Sequence, residues 1–203
     1  MPEVRTFDVP VPADSESIGE YLVARLGSKA AADRAILEVA GELGLPLDAP
    51  RDVSAALALT RLGGDLERIA RSLAWDEFED YCAMAIAAAG YAVKRNVRLR
   101  KPTRQIDIIA ESPSLVLSID CKHWRRGSGP GSLRAPAAAQ AERTKMYANR
   151  SGGGSRHLPV LLTMVDNQVR VVDGVPVVPL QALRGFLASV SGFDEGFSFI
   201  EAG

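Results

Sequence analysis

The chain has 203 residues, of which 47% are hydrophobic and 24% charged, and its formal net charge at pH 7 is -1. These values are typical of a globular protein with one core, or with one core and a small accessory domain. No apolar run approaches the roughly 18 residues of a membrane-spanning helix, and the first residues lack the pattern of a signal peptide. Two cysteines are too few for a disulfide framework or a zinc-binding set. We therefore expect a cytoplasmic protein with reduced thiols that has no membrane partner.

Residues 1–64 predict a small all-helical region of unknown role. Residues 1–13 contain three prolines and are expected to be extended or disordered. Three helices are predicted after them, over "IGEYLVARLG", "SKAAADRAILEVAGELGL" and "RDVSAALALTRLGG". A serine precedes each of the first two as an N-cap, and a glycine ends the first and the third. Such a unit is either a DNA-reading helix-turn-helix or, as three short helices favour, a packing or dimerisation element.

The pattern changes at residue 65. One or two helices are predicted up to Gly90, and three strand-like runs follow, "YAVKRNVRLR", "RQIDIIAES" and "LVLSIDCKHW". Then come a glycine-rich loop over 127–134, the helix "APAAAQAERTKMYANR" and a second glycine-rich loop over 151–156. The strand "LPVLLTMV", a strand pair or strand-turn in "QVRVVDGVPVVPL" and the closing helix "LQALRGFLASV" complete the pattern. This order predicts an α/β domain over residues 65–192, with a mixed sheet flanked by helices, and a tail over 193–203.

The third strand-like run ends in five reactive side chains. Because side chains alternate along a strand, Asp120 and Lys122 share one face, about 7 Å apart, while Cys121 and His123 share the other. Asp107 lies on the preceding strand, which a tight turn joins to the third, so we expect it to approach Asp120. Two carboxylates suit Mg²⁺, and a lysine beside them can act on an attacking water. The simpler alternative is an Asp–Lys ion pair at a strand end.

The preceding helix offers a third acid. An apolar stripe on it is predicted to comprise Trp75, Phe78, Cys82, Ala85, Ile86 and Ala89. Of its four acids only Glu79 lies at the edge of this stripe, whereas Asp76, Glu77 and Asp80 are expected to face solvent. A helix packed on the sheet therefore brings Glu79 toward the two strand carboxylates.

These residues together resemble a known family. "FEDYCAMAIAAAGYAV", "IDIIA" and "LSIDCKHW" look like the PD-(D/E)xK nuclease superfamily, and most closely like the Mrr-like catalytic domain of type IV restriction endonucleases. That pattern has an F-E helix ending in Gly-Tyr-x-Val, an Asp strand with apolar neighbours and a D/E-x-K strand. The resemblance spans about residues 70–190 and implies a restriction-endonuclease-like fold. The Q-x-x-x-Y signature of RecB-type nucleases is absent, and Asp120 stands where Glu is commoner.

The resemblance also implies roles for individual residues. Asp107 and Asp120 would bind Mg²⁺, for which Mn²⁺ substitutes, with the backbone carbonyl of Cys121 as a third oxygen. Glu79 would bind a second metal or position water. Lys122 would act on the attacking water, and Gln140 would support the site from the next helix. A catalytic thiol at Cys121 is not expected, and His123 fits a packed or surface position better than a catalytic one.

The charge distribution favours a polyanionic partner. Residues 94–156 carry fourteen Lys and Arg against four Asp and Glu, which indicates nucleic acid unless the surface is merely solvated. The candidate DNA contacts are Lys94, Arg95, Arg98, Arg100, Arg104, Trp124, Arg125 and Arg126. Trp124 is suited to stacking and the basic side chains to phosphate.

The leading interpretation is a metal-dependent endonuclease that acts on duplex or branched DNA without a small-molecule cofactor. By analogy with nucleases that cut two strands, it is expected to be a homodimer. A Holliday-junction resolvase-like nuclease is the alternative within the same enzyme class. A nucleic-acid-binding or assembly protein with weak catalysis is the alternative outside it.

Overall fold

A computed structural model describes residues 17–45, 49–100, 103–124, 126–151, 155–192 and 196–201. The chain forms two compact units that divide between Leu73 and Ala74. The expectations for residues 1–13, for Gly152–Gly154 and for Arg125 lie outside the described residues. No helix in the described ranges is long and apolar enough to span a bilayer.

The first unit is all-helical. Its helices are α1 (Ile18–Leu26), α2 (Lys29–Leu43), α3 (Arg51–Arg61) and α4 (Leu66–Arg71). The predicted caps of the first two helices are confirmed, whereas α3 has Leu62 rather than a glycine at its C-cap. The Ser17 hydroxyl accepts from the Glu20 N–H while the Glu20 carboxylate accepts from the Ser17 N–H, and the Ser28 hydroxyl accepts from the Ala31 N–H. Gly27 ends α1 at φ 78°, a left-handed conformation that suits glycine.

The second unit contains the predicted α/β fold. Its elements are α5 (Trp75–Ala88), β1 (Ala92–Leu99), β2 (Arg104–Glu111), β3 (Leu115–Lys122), α6 (Pro130–Ser151), β4 (Arg156–Thr163), β5 (Val171–Val172), β6 (Val175–Pro179), α7 (Leu183–Ser189) and β7 (Ile200–Glu201). They form a seven-stranded mixed sheet in the order β1-β2-β3-β4-β6-β5, with β7 paired to β4. The predicted fold class, a restriction-endonuclease-like mixed sheet flanked by helices, is confirmed.

Strand direction changes in the middle of the sheet. The β1–β2 and β2–β3 pairs are antiparallel, whereas β3–β4 and β4–β6 are parallel. The parallel β3–β4 pair requires a crossover connection, and α6 provides it. β3 and β4 are almost entirely buried, as expected for strands that are covered on both faces.

α5 and α6 cover opposite faces of the sheet. Cys121 on β3 interacts with Cys82 on α5, while its neighbour Asp120 forms an ion pair with Arg143 on α6. Because neighbouring residues of a strand point to opposite faces, the polar face of β3 lies under α6. The predicted division between the Asp120 face and the Cys121 face is confirmed.

Three local expectations are wrong. The loop predicted over 127–134 is shorter, because α6 begins at Pro130 and buries Leu133 in the first turns. Trp75, placed in the buried stripe of α5, is 56% exposed. Asp80, placed on the solvated face, is buried and forms an ion pair with Arg95 of β1. In addition, the expected tail contributes strand β7, in which Ile200 pairs with His157.

The conformation of Asn96 is unusual for a strand. Its φ is 52°, in the left-handed region that most side chains avoid. The neighbouring pairs, Arg95 with Ile108 and Val97 with Ile106, keep one register on either side of it. That register places Asn96 opposite Asp107, and its side-chain oxygen accepts a hydrogen bond from Gln105 at 2.8 Å.

Substitution at Asn96 separates backbone conformation from side-chain bonding. We expect Asn96→Ala to lower the free energy of unfolding by about 1 kcal/mol, because alanine tolerates positive φ poorly. Asn96→Gly should stay within about 0.5 kcal/mol of the wild type, because glycine adopts this φ freely. Urea unfolding followed by circular dichroism measures both. Equal losses in the two variants would show that the loss of the Gln105 hydrogen bond, rather than the backbone conformation, lowers the free energy of unfolding.

Candidate active site

Asp107 and Asp120 lie side by side on β2 and β3. The pairing of Ile108 with Ile119 places the two acids at the next position of the antiparallel ladder. The Asp107 Oδ2 accepts a hydrogen bond from the backbone N–H of Cys121 at 2.8 Å. The predicted approach of the two carboxylates is therefore present in the structure.

Two cations contact Asp120, whose carboxylate is almost completely buried. Lys122 Nζ lies 2.6 Å from Asp120 Oδ2, and Arg143 Nη2 lies 3.0 Å from Asp120 Oδ1. Lys122 also lies over the ring of Trp124, 6.0 Å from its centroid. The ion pair considered as the simpler interpretation of the Asp-x-Lys sequence thus exists, but it belongs to a larger cluster.

Gln140 connects helix α6 to the sheet at this point. Its Nε2 donates to the backbone carbonyl of Ser118 at 2.7 Å, and its Oε1 accepts from Arg143 Nε at 2.7 Å. Gln140 is fully buried, so its bond to Ser118 forms away from water, whereas its bond to Arg143 is partly buried. The side chain predicted to support the site thereby fixes the position of Arg143 relative to β3.

Burial is the largest cause of the unusual titration of Asp107. It raises the pKa of Asp107 to about 6, because a low-dielectric environment disfavours the charged form. The hydrogen bond from the Cys121 N–H and the charge of Lys122 act in the opposite direction, while the charges of Asp120 and Glu79 add to the increase. A carboxyl group with this combination of burial and like-charged neighbours is typical of functional sites.

Glu79 is close to the cluster but does not join it directly. Its charge contributes to the raised pKa of Asp107, yet its carboxylate accepts a hydrogen bond from the indole N–H of Trp75 on the same helix. The structure therefore brings Asp107, Asp120, Lys122 and Gln140 together and leaves Glu79 at longer range, on the helix that covers the other face.

The remaining side chains of the "DCKHW" stretch pack elsewhere. Cys121 is fully buried, and the neighbouring Cys82 thiol and burial raise the pKa of its thiol well above the usual value. A thiol held in its neutral form is a poor nucleophile. His123 packs against Phe78 with ring centroids 5.1 Å apart, which is the packed position expected for it.

The predicted DNA contacts differ in their surroundings. Lys94 forms an ion pair with Glu111 at 2.7 Å, and Arg95 pairs with the buried Asp80. The side chains of Arg98, Arg100, Arg104 and Arg126 are exposed. Arg98 and Arg104 lie at the hairpin end of the β1–β2 pair, next to the connection between the strands, and Arg98 is opposite Gln105, two residues before Asp107.

Arg143 is the site residue that sequence reasoning missed. It appeared only as one charge in the basic segment, yet its side chain reaches Asp120 and Gln140. The available signal was its spacing, because residues three apart on a helix lie on one face. The prediction of Gln140 as a site residue therefore also indicated Arg143, three residues later on the same helix face.

The donor chemistry of the cluster fits Mg²⁺. In the described residues no three His, Cys, Asp or Glu side chains converge as a metal-binding group. However, Asp107 uses Oδ2 for its one hydrogen bond and keeps Oδ1 free of protein partners in the described part of the chain. The N–H and C=O of a strand residue point to the same side, so the Cys121 carbonyl also points toward β2. Oxygen donors of this kind are those that Mg²⁺ prefers.

Comparison with known proteins shows what this part of the chain resembles. Residues 70–149 match the family model Mrr_cat, described as a restriction endonuclease. This segment is therefore similar to an Mrr-like restriction endonuclease catalytic domain. The resemblance predicted from the sequence is therefore confirmed, and the matched residues include Glu79, Asp107, Asp120, Lys122 and Gln140.

A curated relative and the solved structures add little about activity. An uncharacterized protein of Archaeoglobus fulgidus is 26% identical over 129 residues, which cover 62% of this chain and 98% of that protein. No solved structure gave a significant match. The nuclease interpretation of the Mrr-like domain therefore rests on the family model.

The burial of Asp107 predicts a stability change in the metal-free protein. Its pKa is raised relative to an unfolded carboxyl, so its ionisation favours unfolding, and stability falls as pH rises from about 4 through about 6. Asp107→Asn removes this penalty while the amide oxygen still accepts from Cys121. We expect a gain on the order of 1–3 kcal/mol above pH 6.5 that disappears near pH 4.

Denaturant unfolding in EDTA across this pH range measures the effect. Asp173→Asn is the control, because it makes the same substitution at an exposed position in the turn between β5 and β6. An Asp107→Asn variant that is no more stable than the wild type at pH 7 would contradict the assigned environment of Asp107.

Proposed function

We propose that the protein is a metal-dependent endonuclease that hydrolyses DNA phosphodiester bonds, with Mg²⁺ as its cofactor and Mn²⁺ as a substitute. One observation carries the proposal. Asp107 and Asp120 meet across β2 and β3, with Lys122 on Asp120, inside the segment that matches the restriction endonuclease family. We further propose that it acts in the cytoplasm as a homodimer, in which two sites cut the two strands.

The two carboxylates and the Cys121 carbonyl are the proposed metal ligands, with Glu79 as a ligand of a second ion or a water-positioning group. A bound divalent cation supplies a more nucleophilic water and neutralises charge on the phosphate. The ammonium group of Lys122 forms an ion pair with Asp120 Oδ2 at 2.6 Å. It has three N–H donors, which can orient the attacking water or hold a phosphate oxygen.

The reaction is an ordinary phosphodiester hydrolysis. The water oxygen forms a bond to phosphorus, the bond from phosphorus to the sugar oxygen of the leaving strand breaks, and that oxygen takes up a proton. Partial burial of Lys122, whose side chain is 19% exposed, strengthens its interaction with the charge that develops on the phosphate.

A second candidate function is nucleic-acid binding with little catalysis. The observation that favours it is the engagement of both oxygens of Asp120 by cations, because a metal must share or displace these partners. This candidate predicts DNA binding without cleavage that depends on a metal. A Holliday-junction resolvase-like activity predicts instead that a four-way junction is cut in preference to a linear duplex.

Nuclease activity is tested on plasmid, linear duplex, methylated duplex and four-way-junction DNA with Mg²⁺ or Mn²⁺. We expect cleavage by the wild type, loss of cleavage in EDTA, and a decrease of at least about 10²-fold in Asp120→Asn and in Lys122→Gln. Gel analysis of the products against time gives the rates.

Two matched substitutions control for loss of charge. Lys145→Gln changes an exposed lysine of α6, and Asp173→Asn changes an exposed aspartate of the β5–β6 turn. Both should cleave within about twofold of the wild type. Cleavage that persists in Asp120→Asn and Lys122→Gln would sink the assignment, and DNA binding without any cleavage would favour the second candidate.

The exposed arginines at the hairpin end of the β1–β2 pair predict the salt dependence of binding. Each phosphate contact contributes about 0.9 to the slope of log affinity against log salt concentration. We expect Arg98→Gln and Arg104→Gln each to reduce that slope by about 1, whereas Arg184→Gln on α7 should leave it unchanged. Fluorescence anisotropy of a labelled duplex at 50–250 mM salt in EDTA measures the slope. Unchanged slopes in both variants would place the DNA elsewhere.

A further inference from the structure

The contacts of Arg143 involve only one edge of its guanidinium group. Its Nε donates to Gln140 Oε1 and its Nη2 contacts Asp120 Oδ1. These two nitrogens lie on one edge of the planar guanidinium group. Within the described residues no further hydrogen bond or ion pair involves Arg143.

The free end of the guanidinium group has the geometry of a phosphate-binding fork. Arginine has five N–H donors, and the two contacts use two of them. The remaining donors, on Nη1 and Nη2, form a planar pair of N–H groups that can bind phosphate oxygen. The side chain of Arg143 is 18% exposed, so it is not sealed in the core.

The neighbours of Arg143 fix where that fork lies. Gln140 is fully buried and is itself bonded to the Ser118 carbonyl of β3, two residues before Asp120. The guanidinium group is therefore anchored to the strand that carries Asp120 and Lys122. Lys122 and Arg143 contact the two oxygens of the same Asp120 carboxylate, so a phosphate placed beside Lys122 for hydrolysis would lie near Arg143.

We propose that Arg143 is an additional catalytic residue, whose free N–H groups bind a non-bridging oxygen of the scissile phosphate. This inference rests on the proposed function and extends it with a second cation beside Lys122. Gln140 is then a positioning residue, since it acts through Arg143. A purely structural role, in which Arg143 only balances the buried charge of Asp120, is the competing explanation.

The two roles are separated with Arg143→Lys and Arg143→Gln. Lysine keeps a positive charge for Asp120 but lacks the planar fork, whereas glutamine removes the charge. Arg134→Lys and Arg134→Gln, at an exposed position on the same helix, are the matched controls. Thermal unfolding of each variant reports any structural loss separately from activity.

The decisive readout is stereoselectivity at the cleaved phosphate. The cleavage position of the wild type is mapped, and duplexes with an Rp or an Sp phosphorothioate at that position are prepared. We expect the wild type to distinguish the two diastereomers, because an oriented N–H fork contacts one non-bridging oxygen. Arg143→Gln should lower kcat about 10²-fold with a small change in KM. Arg143→Lys should fold normally, cleave at an intermediate rate and lose most of the diastereomer preference.

Each outcome decides the matter. Loss of the diastereomer preference in folded Arg143→Lys, with Arg134 variants like the wild type, supports the phosphate contact. A wild-type preference retained in Arg143→Lys, or a reduced rate explained by a lower unfolding temperature alone, overturns it and leaves the proposed nuclease function intact. A wild type that cleaves none of the DNA substrates refutes the proposed function, and this inference with it.

Discussion

The close approach of Asp107 and Asp120 across two buried strands is the constraint on which the rest of the site depends. Two carboxylates in a poorly solvated environment repel each other and lose hydration, and the raised pKa of Asp107 expresses both effects. The surrounding structure compensates with the Cys121 N–H on one acid and with Lys122 and Arg143 on the other. The cluster is thus tolerated because hydrogen bonds and opposite charges accompany it, and a divalent cation would relieve the remaining repulsion.

Helix α6 is as important to this arrangement as the strands. It connects the parallel strands β3 and β4, and the same crossover lays Gln140 and Arg143 over the polar face of β3. α5 covers the opposite face, where its side chains Phe78, Cys82 and Ile86 are fully buried. The match to the restriction endonuclease family model covers residues 70–149, which include α5, the strands β1 to β3 and most of α6.

Much of this could be predicted from the sequence, because strand alternation is a strict rule. It separated Asp120 and Lys122 from Cys121 and His123. Asp107, on the apolar strand joined to this one by a turn, is the second carboxylate beside Asp120. Helix phase was less informative. A helical wheel shows which residues share a face of the helix, but not which residues of other elements contact that face. Asp80 is therefore predicted to face solvent, whereas in the structure it forms an ion pair with Arg95. Arg143 counts in the sequence only as one charge of the basic segment, whereas in the structure it contacts Asp120 of β3. The early start of α6 was missed because Pro130 and its neighbouring glycines are typical of loops, although proline is well tolerated in a first helical turn.

The most direct test of the account is a crystal structure of the protein soaked with Mn²⁺, with anomalous diffraction used to locate the ion. The account predicts a peak about 2.1 Å from oxygens of both Asp107 and Asp120, with the Cys121 carbonyl nearby and Lys122 still in place beside it. A fully soaked crystal with no peak at these carboxylates, and with Lys122 and Arg143 still closing on Asp120, would contradict it.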